Sequence, residues 1–152
     1  MLDWIFAKTL NVGETAPDFS LAAQDGSRVT LSALRGQNVV LVFYPADNTS
    51  VCTKQLCEFR DDWDGVKARN AVVFGVNPAR GTRHGAFREK YKLPFPLLVD
   101  QGQKVAALYG AKGLGGPRRT VYLVGPDGVI RYAQRGKPAP AEVLAVASGN
   151  AA

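Results

Sequence analysis

The sequence predicts an α/β fold built on a mixed sheet, with parallel strands at its centre, hairpins at its edges and helices on both faces. Three observations lead there. The apolar runs 39–44 and 71–76 enclose a segment in which Leu56, Phe59, Trp63 and Val66 recur at helical spacing. Such a strand–helix–strand unit connects right-handedly and makes its two strands parallel. Short strand-like runs also flank two Asp-Gly turns, 18–22 with 28–31 and 120–124 with 129–132, which reads as two hairpins. Finally, 152 residues without a linker or internal repeat suit one domain, 1–152, large enough to bury about two thirds of its unfolded surface.

The elements follow in order. Residues 1–12 form an amphipathic lead in which Trp4, Ile5, Phe6 and Leu10 can pack on the body, and a turn at 13–17 leads into the first hairpin. One helical turn over 32–34 precedes Arg35-Gly36. The run 39–44 carries no charge and stops at Pro45, Asp47 and Asn48, as a buried strand ending in a turn does. Thr49 or Ser50 can cap a helix that continues through Lys67, with Asp61, Asp62 and Asp64 on its wet face and Trp63 turned to the core. After the strand 71–76, residues 78–91 form a weaker helix, wet along Arg83, Arg88, Glu89 and Lys90 and dry along Phe87 and Tyr91. His84, in the polar stretch 80–85, reads as a solvated helix residue rather than a general base. Pro94 and Pro96 bracket a bend into the strand 97–99, and a helix over 103–109 closes at Gly110. The glycine-rich stretch 112–117 lacks the lysine spacing of a phosphate-binding loop and reads as a flexible turn. Residues 139–147 form a closing helix and 148–152 a frayed tail. Together these elements give the layout of a thioredoxin-like three-layer α/β fold with an added N-terminal β-hairpin. In open sheets of this kind ligands gather at the carboxyl ends of the parallel strands, which is where residues 45–52 fall.

Composition narrows the function. A domain of this size folds without a staple, so its two cysteines are available for chemistry, and with the single His84 they are too few to hold zinc; neither metal nor cofactor is expected. The net charge of +6, from 19 basic and 13 acidic residues, is scattered and comes with no nucleic-acid-binding motif. It suits a solvated face or mild attraction to an acidic partner. The N-terminal ten residues have an acid at position 3 and no basic region, which is unlike a signal peptide, and no apolar run reaches the roughly 20 residues of a membrane span. The expected setting is therefore soluble and cytoplasmic, with thiols kept reduced and no membrane partner.

Within this frame Cys52 is the candidate nucleophile. It lies in or beside the first turn of the helix that follows the central strand, where backbone N–H groups favour an anion, and a thiol there ionises more easily. Thr49 supplies a hydroxyl three residues earlier and Pro45 a rigid ring seven residues earlier. Inert packing is the commoner role of a cysteine; these three features together point instead to a prepared nucleophile.

Pro45-x-x-x-Thr49-x-x-Cys52 resembles the active-site signature of peroxiredoxins, and Cys52-Thr-x-Gln-x-Cys57-x-Phe-Arg-Asp61 resembles their bacterioferritin-comigratory, or Q-type, branch. Ala16-Pro17-Asp18-Phe19-x-Leu21 and Arg119-Thr-Val-Tyr-Leu-Val124 continue the likeness, which spans roughly 12–147. The resemblance implies a thiol peroxidase that reduces hydrogen peroxide and organic hydroperoxides. Cys52 is then the peroxidatic nucleophile, Thr49 bonds the thiolate and the peroxide, and Pro45 shields the sulfenic acid. Arg119 stabilises the thiolate and polarises the O–O bond, and Gln55 orients the arginine. Arg119 is preferred to Arg118 because it keeps the family spacing to Tyr122. Cys57 takes the resolving position, forming an intramolecular disulfide that thioredoxin or a similar dithiol reduces; a chain that needs no partner for its disulfide is expected to be a monomer. Ser50-Val51 departs from the Pro-Gly pair common before the nucleophile, which bears on the pocket rim and the size of peroxide accepted. The alternatives are a thioredoxin-like thiol-disulfide oxidoreductase, against which the four-residue gap between the cysteines argues, and a one-cysteine peroxidase in which Cys57 is structural. A binding or holdase module would not need Pro45, Thr49, Cys52 and Arg119 together.

Overall fold

A computed structural model describes residues 7–47 and 49–147, with the backbone but not the side chain of Cys52. The first half of the N-terminal lead and the 148–152 tail lie outside the described residues. Seven strands form one mixed sheet: β1 (Ser20–Ala23), β2 (Arg28–Thr30), β3 (Asn38–Phe43), β4 (Ala71–Asn77), β5 (Leu97–Val99), β6 (Thr120–Val124) and β7 (Ile130–Arg135). Their order across the sheet is β2-β1-β5-β4-β3-β6-β7. β3 and β4 pair in parallel, as the strand–helix–strand reading requires, and β4 pairs in parallel with β5. The antiparallel hairpins β1–β2 and β6–β7 form the two edges.

The sheet separates two cores because its central strand alternates. Val40, Val42 and Tyr44 face one layer, where α1 (Ser50–Asp61), α2 (Trp63–Ala68), α3 (Gly81–Lys90) and α5 (Pro140–Leu144) contribute Leu56, Phe59, Val66, Phe87, Val143 and Leu144. Val39, Leu41 and Phe43 face the other, where α4 (Lys104–Leu108) contributes Val105 and Ala106 beside Tyr109, Phe19 and Leu31. Every residue of β3 is buried, so the strand reads as a continuous apolar run.

Three features differ from the sequence expectations. The helix expected to run through Lys67 breaks at Asp62, whose φ of −98° and ψ of 28° separate α1 from α2. Apolar spacing cannot detect this break, because Phe59, Trp63 and Val66 stay in phase across it. The Asp62 side chain lies over Gly65, where an added Cβ would come 2.6 Å from its Oδ1. The 112–117 stretch is pinned rather than flexible: Gly113 N–H donates to Gln103 Oε1 at 3.0 Å, Gln103 Nε2 returns a bond to Gly113 O at 2.9 Å, and Gly116 sits against the Pro45 carbonyl. At Gly116, φ is +115° and a Cβ would lie 2.5 Å from that oxygen, so both backbone and space require glycine. The third correction, at His84, belongs to the candidate site.

Among the described residues no helix is long and apolar enough to cross a membrane. Among them, too, no group of three His, Cys, Asp or Glu side chains could hold a metal ion.

Candidate active site

The site forms where β3 ends. Tyr44 is still tied to the sheet, its N–H donating to Val76 O at 3.3 Å, and the chain then leaves through Pro45, Ala46 and Asp47 into α1. Thr49 occupies the cap position: its carbonyl accepts the first helical bond, from Thr53 N–H at 2.8 Å. Cys52 is therefore the third residue of the helix, inside the first turn, whose N–H groups have no acceptor within the helix. That position favours a negative charge. Pro45 is half-buried and Thr49 exposed. Pro45 and Ala46 wall a cleft of about 440 Å³ shared with Asn77, Pro78, Arg80 and Arg83.

From the other side of the sheet's carboxyl edge comes Arg119, immediately before β6. Its Nη1 donates to Gln55 Oε1 at 3.2 Å, and Gln55 Nε2 donates to Gly136 O at 3.3 Å. Gly136 N–H in turn donates to Arg119 O at 2.8 Å, closing a ring of bonds between α1 and the strands β6 and β7. Gln55 is buried and stands three residues after Cys52, on the same side of the helix. Arg118 turns elsewhere: it is exposed and its Nη1 donates to Ala7 O at 3.0 Å. Of the two arginines, Arg119 is the one bonded to the helix that carries Cys52.

Cys57 carries a free thiol, half-buried against the core beneath α1. Burial pushes its pKa up, with the Arg60 charge opposing in part. Because α1 is continuous from Ser50 to Asp61, five helical steps separate the two cysteines, which puts their Cα atoms about 8 to 9 Å apart. A disulfide needs less than about 7 Å.

The sequence reading misplaced His84, which is fully buried rather than solvated. Its Nδ1 lies 2.6 Å from Asp47 Oδ2 and its Nε2 lies 2.9 Å from Leu98 O. Tyr44 O–H donates to Asp47 Oδ1 at 2.5 Å, and Asn77 Nδ2 donates to the same oxygen at 3.1 Å. Arg83 Nη2 reaches the Asp47 carbonyl at 3.3 Å. The polar neighbours of His84 suggested water, yet the spacing of His84, Phe87 and Tyr91 places all three on the dry face of α3. That spacing was the available signal.

A thioredoxin-like sheet with a cysteine in the first turn after its central strand, and an arginine bonded to that helix, defines a class of thiol-chemistry domains. Comparison with known proteins agrees. The AhpC/TSA family model matches residues 12–133. Peroxiredoxin Q, a chloroplastic protein of Oryza sativa subsp. japonica, is 45% identical over 123 residues, covering 79% of this chain and 57% of that protein. The peroxiredoxin Q of Sedum lineare is 45% identical over 130 residues, 84% of this chain and 69% of that one. The crystal structure of the peroxidoxin BcpB from Mycobacterium tuberculosis superposes with a TM-score of 0.83 at 32% identity, covering 90% of this chain and 96% of that one. The chain belongs to the AhpC/TSA family, as a Q-type peroxiredoxin. It spans little more than half the length of the rice relative.

Proposed function

We propose that this chain is a thiol peroxidase acting on hydrogen peroxide and organic hydroperoxides, with Cys52 as nucleophile and Cys57 as resolving thiol. The Cys52 thiolate attacks one peroxide oxygen, the O–O bond breaks, and the departing oxygen takes a proton to leave as water or an alcohol, with Cys52 as the sulfenic acid. Negative charge shifts from sulfur to the leaving oxygen as the O–O bond breaks, so a fixed cation and helix N–H groups stabilise the transition state more than the ground state. Arg119 supplies the cation, oriented by Gln55; Thr49 bonds the reacting oxygen and Pro45 limits access of a second peroxide. The Cys57 thiolate then attacks the Cys52 sulfur, the S–O bond breaks, the departing hydroxide takes a proton and leaves as water, and a disulfide remains for thioredoxin or a similar dithiol to reduce. The chain does this as a monomer in a reducing compartment.

The observation that carries this reading is the bond from Arg119 to Gln55, which holds a cation against the helix whose first turn contains Cys52. It is tested by intact mass and thiol count before and after one equivalent of hydrogen peroxide. The expected result is loss of two hydrogens and of both thiols, and no peroxide consumption by Cys52→Ser. A stable gain of one oxygen with Cys57 still free would favour the one-cysteine reading instead.

A further inference from the structure

The reaction as proposed uses Pro45 and Thr49 but not Asp47, a heavily bonded side chain that lies between them. Asp47 is buried, two residues from both Pro45 and Thr49, and it is tied directly to three elements. Oδ1 takes donors from Tyr44, at the end of β3, and from Asn77, at the end of β4; Oδ2 meets His84 of α3; the backbone carbonyl takes Arg83. His84 continues the chain to the backbone of β5 through Leu98 O. Asn77 has its own second bond, accepting from Ala79 N–H at 2.8 Å.

The side-chain polar atoms of this cluster are all partnered. Leu98 O can only accept, so His84 Nε2 donates to it. Nδ1 faces Asp47 Oδ2, and the Tyr44 and Asn77 hydrogens occupy Oδ1. A buried polar network whose members are all partnered rigidifies its surroundings, whereas a partly broken one is costly. Gly75 makes the arrangement possible: a Cβ there would lie 3.0 Å from the Tyr44 ring and 2.7 Å from Leu97, so only glycine lets the ring cross β4 with its hydroxyl at Asp47.

We propose that Asp47 and His84 are positioning residues for peroxide reduction, holding the loop that carries Pro45 and Thr49 to β4, β5 and α3. The inference rests on the thiol-peroxidase reading of Cys52. The loop must present Pro45 and Thr49 to the reacting oxygen in each cycle, although the helix on its far side has to open for Cys57 to reach Cys52. A loop fixed only through that helix would lose its place at each opening; one fixed to the sheet through Asp47 keeps it.

The two ring nitrogens of His84 allow a test by dissection. In a Cys57→Ser background, so that a single thiol reports, His84→Asn places an amide donor near the Nδ1 position and retains the Asp47 bond. His84→Gln reaches the Nε2 position and retains only the Leu98 bond. Single-turnover rates with hydrogen peroxide are compared with alkylation by iodoacetamide, a reaction that needs the thiolate but not an aligned O–O bond. The expected result is a peroxide rate lowered roughly ten- to a hundredfold in His84→Gln, the scale of a misplacement of about 1 Å at a reacting centre. His84→Asn stays within a few-fold of the parent, and alkylation is the same in all three. Equal peroxide rates in both variants, or peroxide and alkylation rates that change in parallel, overturn the proposal. Should either His84 variant fail to fold by circular dichroism, Tyr44→Phe decides: it removes one hydroxyl from Oδ1, and an unchanged peroxide rate overturns the proposal. A parent chain inert to peroxide defeats the thiol-peroxidase reading itself, whereas a reactive parent with unaffected variants defeats only the positioning role.

Discussion

The two halves of the segment around Thr49 are built in opposite ways. Upstream, Tyr44 and Asp47 are buried and bonded to β4, β5 and α3. Downstream, Ser50, Val51 and Lys54 are exposed, and α1 starts from the backbone cap at Thr49. Local stability follows buried contacts and satisfied polar groups, so the upstream half belongs with the rigid sheet and the downstream half with the parts that open at little cost. The mechanism proposed above would need both: a fixed wall for the peroxide and a helix start that unwinds to bring the two thiols together.

The largest effect on this contrast should come from Gly75→Ala. The added methyl meets the Tyr44 ring and Leu97 in a packed core, which costs about 1 to 3 kcal/mol. At roughly 2 to 4 °C of melting temperature per kcal/mol for a chain of this size, thermal unfolding measures it directly. Loss of peroxide reactivity should exceed what the stability change alone explains; a variant as stable as the parent would mean that the upstream half has slack.

A second test addresses Cys57 through pH. Its thiol is raised by burial in the folded protein above the ordinary value of 9.0, so the folded state holds that proton more tightly than the unfolded chain does. The stability this gives is fully present below the unfolded value and falls away as pH rises through the folded one. Denaturation of the reduced protein across the alkaline range should show this decline, and Cys57→Ser should flatten it. Alkylation of Cys57 in the folded reduced state should likewise be slow at neutral pH and speed up only above the ordinary thiol range.

The smallest effect probes the downstream half alone. Val51 is exposed in the first turn of α1, and Val51→Ala should favour the helix by about 0.5 kcal/mol. If disulfide formation waits on unwinding, the step after sulfenic acid formation should slow about twofold, while Val51→Gly should hasten it. Stopped-flow fluorescence from Trp63, which packs on the same core as Cys57, can follow that step. Identical rates in both variants would mean that helix opening does not limit resolution.

Much of this was legible in the chain. The alternation of apolar runs and helical spacing located the parallel pair β3 and β4, and the Asp-Gly turns located both hairpins, because these are local signals. The position of Cys52 after the central strand also followed from sequence order, and the preference for Arg119 over Arg118 from the spacing of the family that the chain resembles. What was not legible depended on distant partners. His84 was read from its polar neighbours as wet, although what fixes it is Asp47, 37 residues away, and Leu98 on another strand. The glycines of 112–117 suggested freedom, whereas Gly116 is there because the Pro45 carbonyl occupies the space a side chain would need. Periodicity registers which face is dry; it does not register which polar group is waiting there.

The break at Asp62 sets how far an opening can spread. A helix running unbroken from Ser50 to Ala68 would melt cooperatively, and freeing Cys57 would draw Trp63 and Val66 out of the core with it. The joint offers an opening of α1 a place to stop after twelve residues, and the four that follow Cys57 are too few to persist as a helix alone. On the proposed mechanism, turnover would then expose one short helix and leave the second in the wall. In a cell, that difference separates a transient opening from a chain that proteases and aggregation can capture on every cycle.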